Sequence, residues 1–228
     1  MANELSVNVD KTNFLFFSKT KEEPPTLNMQ DGIIKSSEVV RYLGILINNK
    51  LSWSHQINAI KLKICHGLGA MYSTRFLVPP EILRNIYFCL VQSHLLYGIT
   101  IWGSPNISHT PLTKITNKCI KLLKQLNPNT TILSINQLYQ IESCKLIHNH
   151  LNKLLPPKIQ TLFNPVNRIH HHNTRQAVNR GMHVPHFSSY LPIKSLACRY
   201  WNTHCPDTFQ ANCTKFQMVK KLKTKFFE

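Results

Sequence analysis

Between about residues 52 and 155, apolar residues recur at steps of three and four, a period that fits a helix rather than a strand. One stripe runs through Ile57, Ile60, Ile64, Leu68 and Met71, with Ser52 or Ser54 placed to cap it. Pro79-Pro80-Glu81 opens a second helix, with Leu83, Ile86, Leu90 and either Leu95 or Tyr97 turned inward, ending near Gly98. Thr110-Pro111 supplies a cap and first turn for a third, whose apolar stripe is Leu112, Ile115, Cys119, Leu122 and Leu126. Two further helical stretches, 132–139 and 142–155, end at Pro156-Pro157. The flanks read differently. Before residue 54, a short apolar run at 13–17, the turn chemistry of Gln30-Asp31-Gly32 and the β-branched and aromatic run 39–47 predict short strands in a hairpin or small sheet. The expected class is therefore α+β, in three zones: strands over 1–54, a helical domain over 55–155 and a basic, partly irregular region over 156–228.

Charge separates the same zones. The chain of 228 residues holds 27 Lys and Arg against 10 Asp and Glu, a net +17. Residues 1–54 hold six bases and six acids, so the whole surplus sits beyond them, where the acids are Glu81, Glu142, Asp207 and Glu228. A compact body so charged repels itself unless a polyanion neutralises it, which points to a nucleic-acid backbone before a solvated surface or acidic lipid. Lys114, Lys118 and Lys121 follow one another at helical spacing on one exposed face, each a point charge on a long stem. Lys61 and Lys63 lie off the first apolar stripe. The terminal stretch interleaves Lys215, Lys220, Lys221, Lys223 and Lys225 with Phe216, Val219, Leu222, Phe226 and Phe227, an amphipathic basic helix that can bind nucleic acid, lie on a membrane surface or, the preferred reading, pack its apolar side on the body.

Other chemistries find little support. Seven widely spaced cysteines, without a leader pattern, read as reduced thiols and an intracellular setting, nuclear or cytoplasmic. Residues 86–102 lack formal charge but contain Gln92, Ser93 and His94 and fall short of a span, so they read as a core helix running into a strand or turn. Cys198, His204, Cys205 and Cys213 lack the paired spacing of a zinc site, and His170-His171-His172 has no acidic partner. No glycine-rich phosphate loop and no assignable nucleophile occurs.

Four motifs, in order, resemble the C-terminal part of the reverse transcriptase of LINE-type (non-LTR, jockey-like) retrotransposons, downstream of its catalytic aspartates. Leu5-Ser-Val-Asn-Val-Asp-Lys11-Thr12 with Phe14-Leu-Phe-Phe17 resembles motif D. Val40-Arg-Tyr42-Leu43-Gly44-Ile45 with Leu51-Ser52-Trp53-Ser54-His55 resembles the palm-to-thumb junction, including the primer grip. Tyr87, the run Ser93-His94-Leu-Leu-Tyr97-Gly98 and Ile101-Trp102-Gly103 resemble thumb helices. Asn173-Thr174-Arg175, Ser195-Leu196, Trp201-Asn202 and Phe216 resemble the tail. The tail departs from the family pattern after Trp201-Asn202, where Thr203-His204-Cys205-Pro206 replaces Leu-Pro.

The resemblance implies a palm remnant, a helical thumb and a basic tail that hold RNA or an RNA/DNA duplex. Charge and spacing then make Lys61, Lys63, Lys114, Lys118, Lys121, Arg175, Lys220, Lys221 and Lys223 the expected phosphate contacts, while the resemblance implies a primer-grip-like turn at Tyr42, Leu43 and Gly44 and a motif-D-like Lys11. The intact family polymerase uses Mg2+ held by paired aspartates. Here no Asp-Asp pair exists, and Asp10, Asp31 and Asp207 lie in unrelated segments. No catalytic residue, metal ligand, cofactor or small-molecule substrate is assigned to this chain, and no polymerisation is expected of it alone. The competing readings are a non-catalytic interaction protein that binds a protein partner or acidic membrane surface, and a non-functional pseudogene product. Oligomeric state does not follow from the pattern.

Overall fold

A computed structural model describes residues 8, 11–18, 23–29, 32–169, 172, 181–186, 191–205 and 213–227. They form short strands followed by a mainly helical region, an α+β chain, and they pack as two units, residues 1–60 and 61–228.

In the first unit, β1 (Asn13–Phe14), β2 (Leu27–Met29) and β3 (Gly32–Ser36) form a sheet in the order β1-β3-β2. β2 and β3 pair antiparallel with Met29 opposite Gly32, while β1 pairs parallel to β3 with Asn13 opposite Lys35. Gln30 and Asp31 of the expected turn lie outside the described residues. The run 39–47 folds back on itself: β4 (Val39–Tyr42) and β5 (Ile45–Asn48) pair antiparallel across a two-residue turn at Leu43-Gly44. Both turn residues have positive φ, 45° and 80°, which gives the turn a twist that matches its strands. Leu43 replaces the Asn or Asp usual there and bears the steric cost of a left-handed backbone.

Hydrogen bonds tie that hairpin to the helix that follows. Asn48 Oδ1 accepts from the Ser52 backbone N–H and its Nδ2 donates to Ser52 Oγ, both at 2.7 Å. The Leu46 N–H donates to Gln56 Oε1 at 2.9 Å. The helix α1 (Ser54–Thr74) buries Ile57, Ile60, Ile64, Gly67 and Met71, and leaves Leu68 half-buried.

α2 (Pro80–Tyr87) begins at the expected proline pair. It runs through one π-helical turn at Phe88–Gln92 into α3 (Ser93–Leu96). The wider turn keeps every fourth residue on one side, so Leu83, Tyr87, Val91 and Leu95 are buried. Leu90, expected inward, is 41% exposed, Ile86 is half-buried, and Tyr97 is exposed. Gly98 at φ 63° then turns the chain into α4 (Ile99–Trp102), a short helix where a strand or turn was expected.

α5 (Thr110–Leu126) starts one residue earlier than the cap pattern suggested, with His109 at the cap. It buries Leu112, Ile115, Thr116, Cys119, Leu122 and Leu123. The two stretches expected at 132–139 and 142–155 are one helix, α6 (Ile135–Leu151), opened by a reciprocal capping box between Ser134 and Gln137. α6 buries residues on several sides because α4, α8 (Pro192–His204) and α9 (Lys215–Phe227) all pack on it, while Asn136 stays exposed and Glu142, Lys145 and Asn149 are half-buried. Between them lies the short helix α7 (Pro157–Gln160). A second reciprocal cap, Thr214 with Gln217, precedes α9, whose Met218 and Leu222 are buried. Phe216, expected on the apolar side of that helix, is 78% exposed.

Candidate nucleic-acid interface

Lysines at positions 114, 118 and 121 advance by four and three residues, so all three project from one side of α5, and all are exposed. The far side holds Leu112, Cys119 and Leu123 in the core, which fixes the helix's rotation and hence the direction of the row. Lys61 on α1 joins it. Lys61, Lys114 and Lys118, together with Thr110, Asn117 and the apolar Ile115, line an open groove of about 670 Å³. Sequence spacing singled out these lysines separately; the fold brings three of them to one concavity.

A second hollow of about 310 Å³ adjoins it, bounded by Thr110, Thr113, Lys114, Asn117 and, from α6, Asn136. His109 closes its inner side. Its imidazole is buried, lies edge-on to Trp102 with ring centres 6.0 Å apart, and has Nε2 3.5 Å from the Trp102 carbonyl. Burial lowers its pKa below the usual histidine value, against a smaller opposing effect of the Trp102 carbonyl. That shift favours the neutral imidazole, so the positive charge at these hollows is that of Lys61, Lys114 and Lys118. An apolar and amide-lined floor under a cationic rim suits a phosphodiester strand, whose charge meets the rim while sugar and base edges meet the floor.

The remaining predicted contacts lie elsewhere. Lys63, two residues beyond Lys61, points about 200° around α1. It sits near His94, whose pKa is lowered first by burial and then by that cation. Lys220, Lys221 and Lys223 are exposed on α9, which is held to α6 by Gln137 Nε2 donating to the Phe226 carbonyl at 3.3 Å. Arg175 lies outside the described residues. In the first unit, Tyr42, Leu43 and Gly44 form the exposed tip of the β4–β5 hairpin, with Leu43 74% exposed. Lys11 is exposed at the turn before β1, where its N–H donates to the Asn8 side chain at 3.1 Å.

Sequence reasoning did not single out Thr110, Asn117 or Asn136 as site residues. Thr110 and Asn117 were marked only by polarity beside the lysine row, and Asn136, on α6, by no local signal.

Among the described residues, no cluster of carboxylates gathers that fits the Mg2+ the resemblance implies. The acids among the described residues are Glu23, Glu38, Glu81 and Glu142, and Glu142 is paired with Lys145 at 2.5 Å. No three His, Cys, Asp or Glu side chains gather among the described residues, Cys198, His204, Cys205 and Cys213 included. Burial pushes the Cys119 thiol up to about 11 and Cys198 up to about 12. Cys144 is raised well above the usual range, chiefly by its hydrogen bond with Cys205 and then by burial. These three thiols are protonated near neutrality. No helix of the described residues is long and apolar enough to cross a membrane.

No family model matches the chain, and no solved structure does. A comparison with curated proteins finds the "Probable RNA-directed DNA polymerase from transposon X-element" of Drosophila melanogaster, 24% identical over 123 residues. The match takes in 52% of this chain, and only 14% of that protein's length. Over about half its residues the chain is thus similar to a transposon RNA-directed DNA polymerase, which supports a reverse-transcriptase-like origin.

Proposed function

We propose that this chain is the portion of a non-LTR, jockey-like LINE reverse transcriptase that follows the catalytic aspartates, and that it holds template-primer duplex or element RNA. In this reading residues 1–54 are the motif-D-like and primer-grip-like part of a palm, 55–155 a thumb and 156–228 a basic tail. Lys61, Lys114, Lys118 and Lys121 take successive phosphates, and the hairpin tip at Tyr42, Leu43 and Gly44 meets the primer. Nucleotide addition is assigned to residues outside this segment, because two-metal phosphoryl transfer needs clustered carboxylates and the acids here are scattered.

The observation that carries the reading is the convergence of Lys61, Lys114 and Lys118 on one groove of about 670 Å³. Similarity to a transposon RNA-directed DNA polymerase supports it independently. Phosphate neutralisation releases counter-ions, so affinity falls steeply with salt. The test is a filter-binding titration of duplex between low and moderate salt, on the full chain and on a variant carrying Lys61→Gln, Lys114→Gln and Lys118→Gln. The log-log slope should be shallower by roughly 3 in the variant. A flat slope in the unaltered protein would sink the proposal.

A further inference from the structure

α1 ends at Thr74, and the chain turns through Arg75, Phe76 and Leu77 before Pro79-Pro80 starts α2. Phe76 and Leu77 are each 80% exposed, and Tyr72 one turn earlier is exposed too. A lone exposed apolar side chain is ordinary on a protein surface. Here three share one turn with a guanidinium. The Arg75 Cζ lies 4.4 Å from the centre of the Phe76 ring and 5.3 Å from that of Tyr72, and Arg75 Nη1 donates to the Tyr72 carbonyl.

The turn is also fixed from below. The N–H groups of Leu77 and Val78 both donate to the Thr74 carbonyl, at 2.9 and 3.2 Å, and Thr74 Oγ1 donates back to the Ala70 carbonyl at 2.9 Å. Its aromatic faces are therefore presented without help from a partner. A second guanidinium-on-ring pair follows on α2 and the π-helical turn, with Arg84 4.9 Å from the Phe88 ring centre.

The exposed rings of Tyr72 and Phe76 beside the half-buried Arg75, in a strongly basic unit, are the combination on which unpaired bases stack: every base has a π-face, and its phosphate is drawn to the cation. Position strengthens the choice. Tyr72 lies eleven residues beyond Lys61 on α1, which places it about 16 Å along the axis and within roughly 20° of the same side. A strand leaving the lysine groove along that flank reaches the turn within a few nucleotides.

We infer that Tyr72, Arg75 and Phe76 form a stacking platform for unpaired bases of a single-stranded nucleic acid that continues out of the groove. The inference rests on the nucleic-acid reading of that groove and adds a base-contacting site to it.

The experiment uses the full chain with two probes of equal charge, a short oligothymidylate and an abasic strand of the same length. The unaltered protein should bind oligothymidylate roughly tenfold or more tightly than the abasic strand. Phe76→Ala and Arg75→Lys should each bring that ratio towards one without weakening abasic binding; both sites are on the surface, and unchanged thermal melts would confirm the fold. A Tyr72→Trp variant should show fluorescence quenched by oligothymidylate and not by the abasic strand. Equal, tight binding of both probes would overturn the platform and leave the groove standing; no binding of either would overturn the platform, and the duplex titration then decides whether the groove falls with it. If Phe76→Ala instead abolished binding to anionic phospholipid vesicles and left the oligonucleotide ratio intact, the turn would be a membrane contact and the inference would fail.

Discussion

Asn202 and Met182 are joined by two hydrogen bonds: Asn202 Nδ2 donates to the Met182 carbonyl at 2.7 Å, and the Met182 N–H donates to Asn202 Oδ1 at 2.8 Å. The side-chain amide of α8 thus satisfies the backbone of residue 182 as a neighbouring strand would, and Met182 itself is fully buried. The same segment is pinned on its other edge, where Val166 N–H donates to the Gly181 carbonyl at 3.0 Å and His183 N–H to the Asn164 carbonyl at 2.9 Å. In the Trp201-Asn202 pair, the tryptophan fills the core and the asparagine holds a distant segment. Asn202→Asp keeps the acceptor and loses the donor, and should cost about 1–3 kcal/mol; Asn202→Ala should cost at least as much. Urea unfolding midpoints measure both, and an unchanged midpoint would remove the clamp from the stability argument.

Two glycines of α1 are expected to respond with opposite sign. A Cβ on Gly67 would sit 2.9 Å from the Leu90 carbonyl oxygen and 3.0 Å from Val91 Cγ2, whereas one on Gly69 meets nothing within 4 Å. Gly69→Ala should therefore gain the helix-propensity difference, about 0.8–1 kcal/mol. Gly67→Ala gains the same propensity but must push back a main chain, and should lose about 1–3 kcal/mol net. Paired thermal melts decide this through the direction of the two shifts.

Acid should weaken the fold through two buried histidines and a half-buried one. Burial lowers the pKa of His109, of His150, where Arg168 adds to the effect, and of His204, where Lys225 does. For a group whose folded pKa lies below its unfolded value, the unfolded chain takes up the proton first. Stability is then complete above the ordinary histidine pKa of about 6.5 and declines as pH falls below it. Denaturant midpoints should be level from pH 8 to 7 and drop between pH 6.5 and 5. His109→Phe should make that drop shallower.

Leu43 combines left-handed backbone with exposure at the tip of the β4–β5 hairpin. Leu43→Asn relieves the backbone and should stabilise the protein by up to about 1 kcal/mol. If the tip meets a primer, the same change should weaken duplex binding, so that stability and affinity move apart. Affinity that rises with stability would argue against a role for the tip.

Much of the helical region was legible because its burial is one-sided. α1 and α5 each bury most of the stripe their three- and four-residue steps describe. The second helix was misread at Leu90 because periodicity assumes a constant turn, and the π-helical turn at Phe88–Gln92 shifts the inward side to Val91. α6 was split in two because its polar and apolar residues do not segregate to separate faces, Ser143, His148 and His150 being buried among the apolar ones; its Ser134-x-x-Gln137 cap was a readable start signal. The hairpin at Leu43-Gly44 lacked the usual Asn or Asp. At the candidate interface, spacing supplied the row on α5, while the contribution of Lys61 depends on tertiary packing that no local pattern encodes.

α6 carries a single acid and a single lysine, Glu142 and Lys145, and each neutralises the other. The hub around which the second unit is gathered thus adds nothing to the chain's electrostatic self-repulsion, which falls on peripheral helices such as α1, α5 and α9. Lysines there can be gained or shed one at a time without unseating the axle, so the strength of grip on a polyanion is free to drift or be tuned while the scaffold stays put.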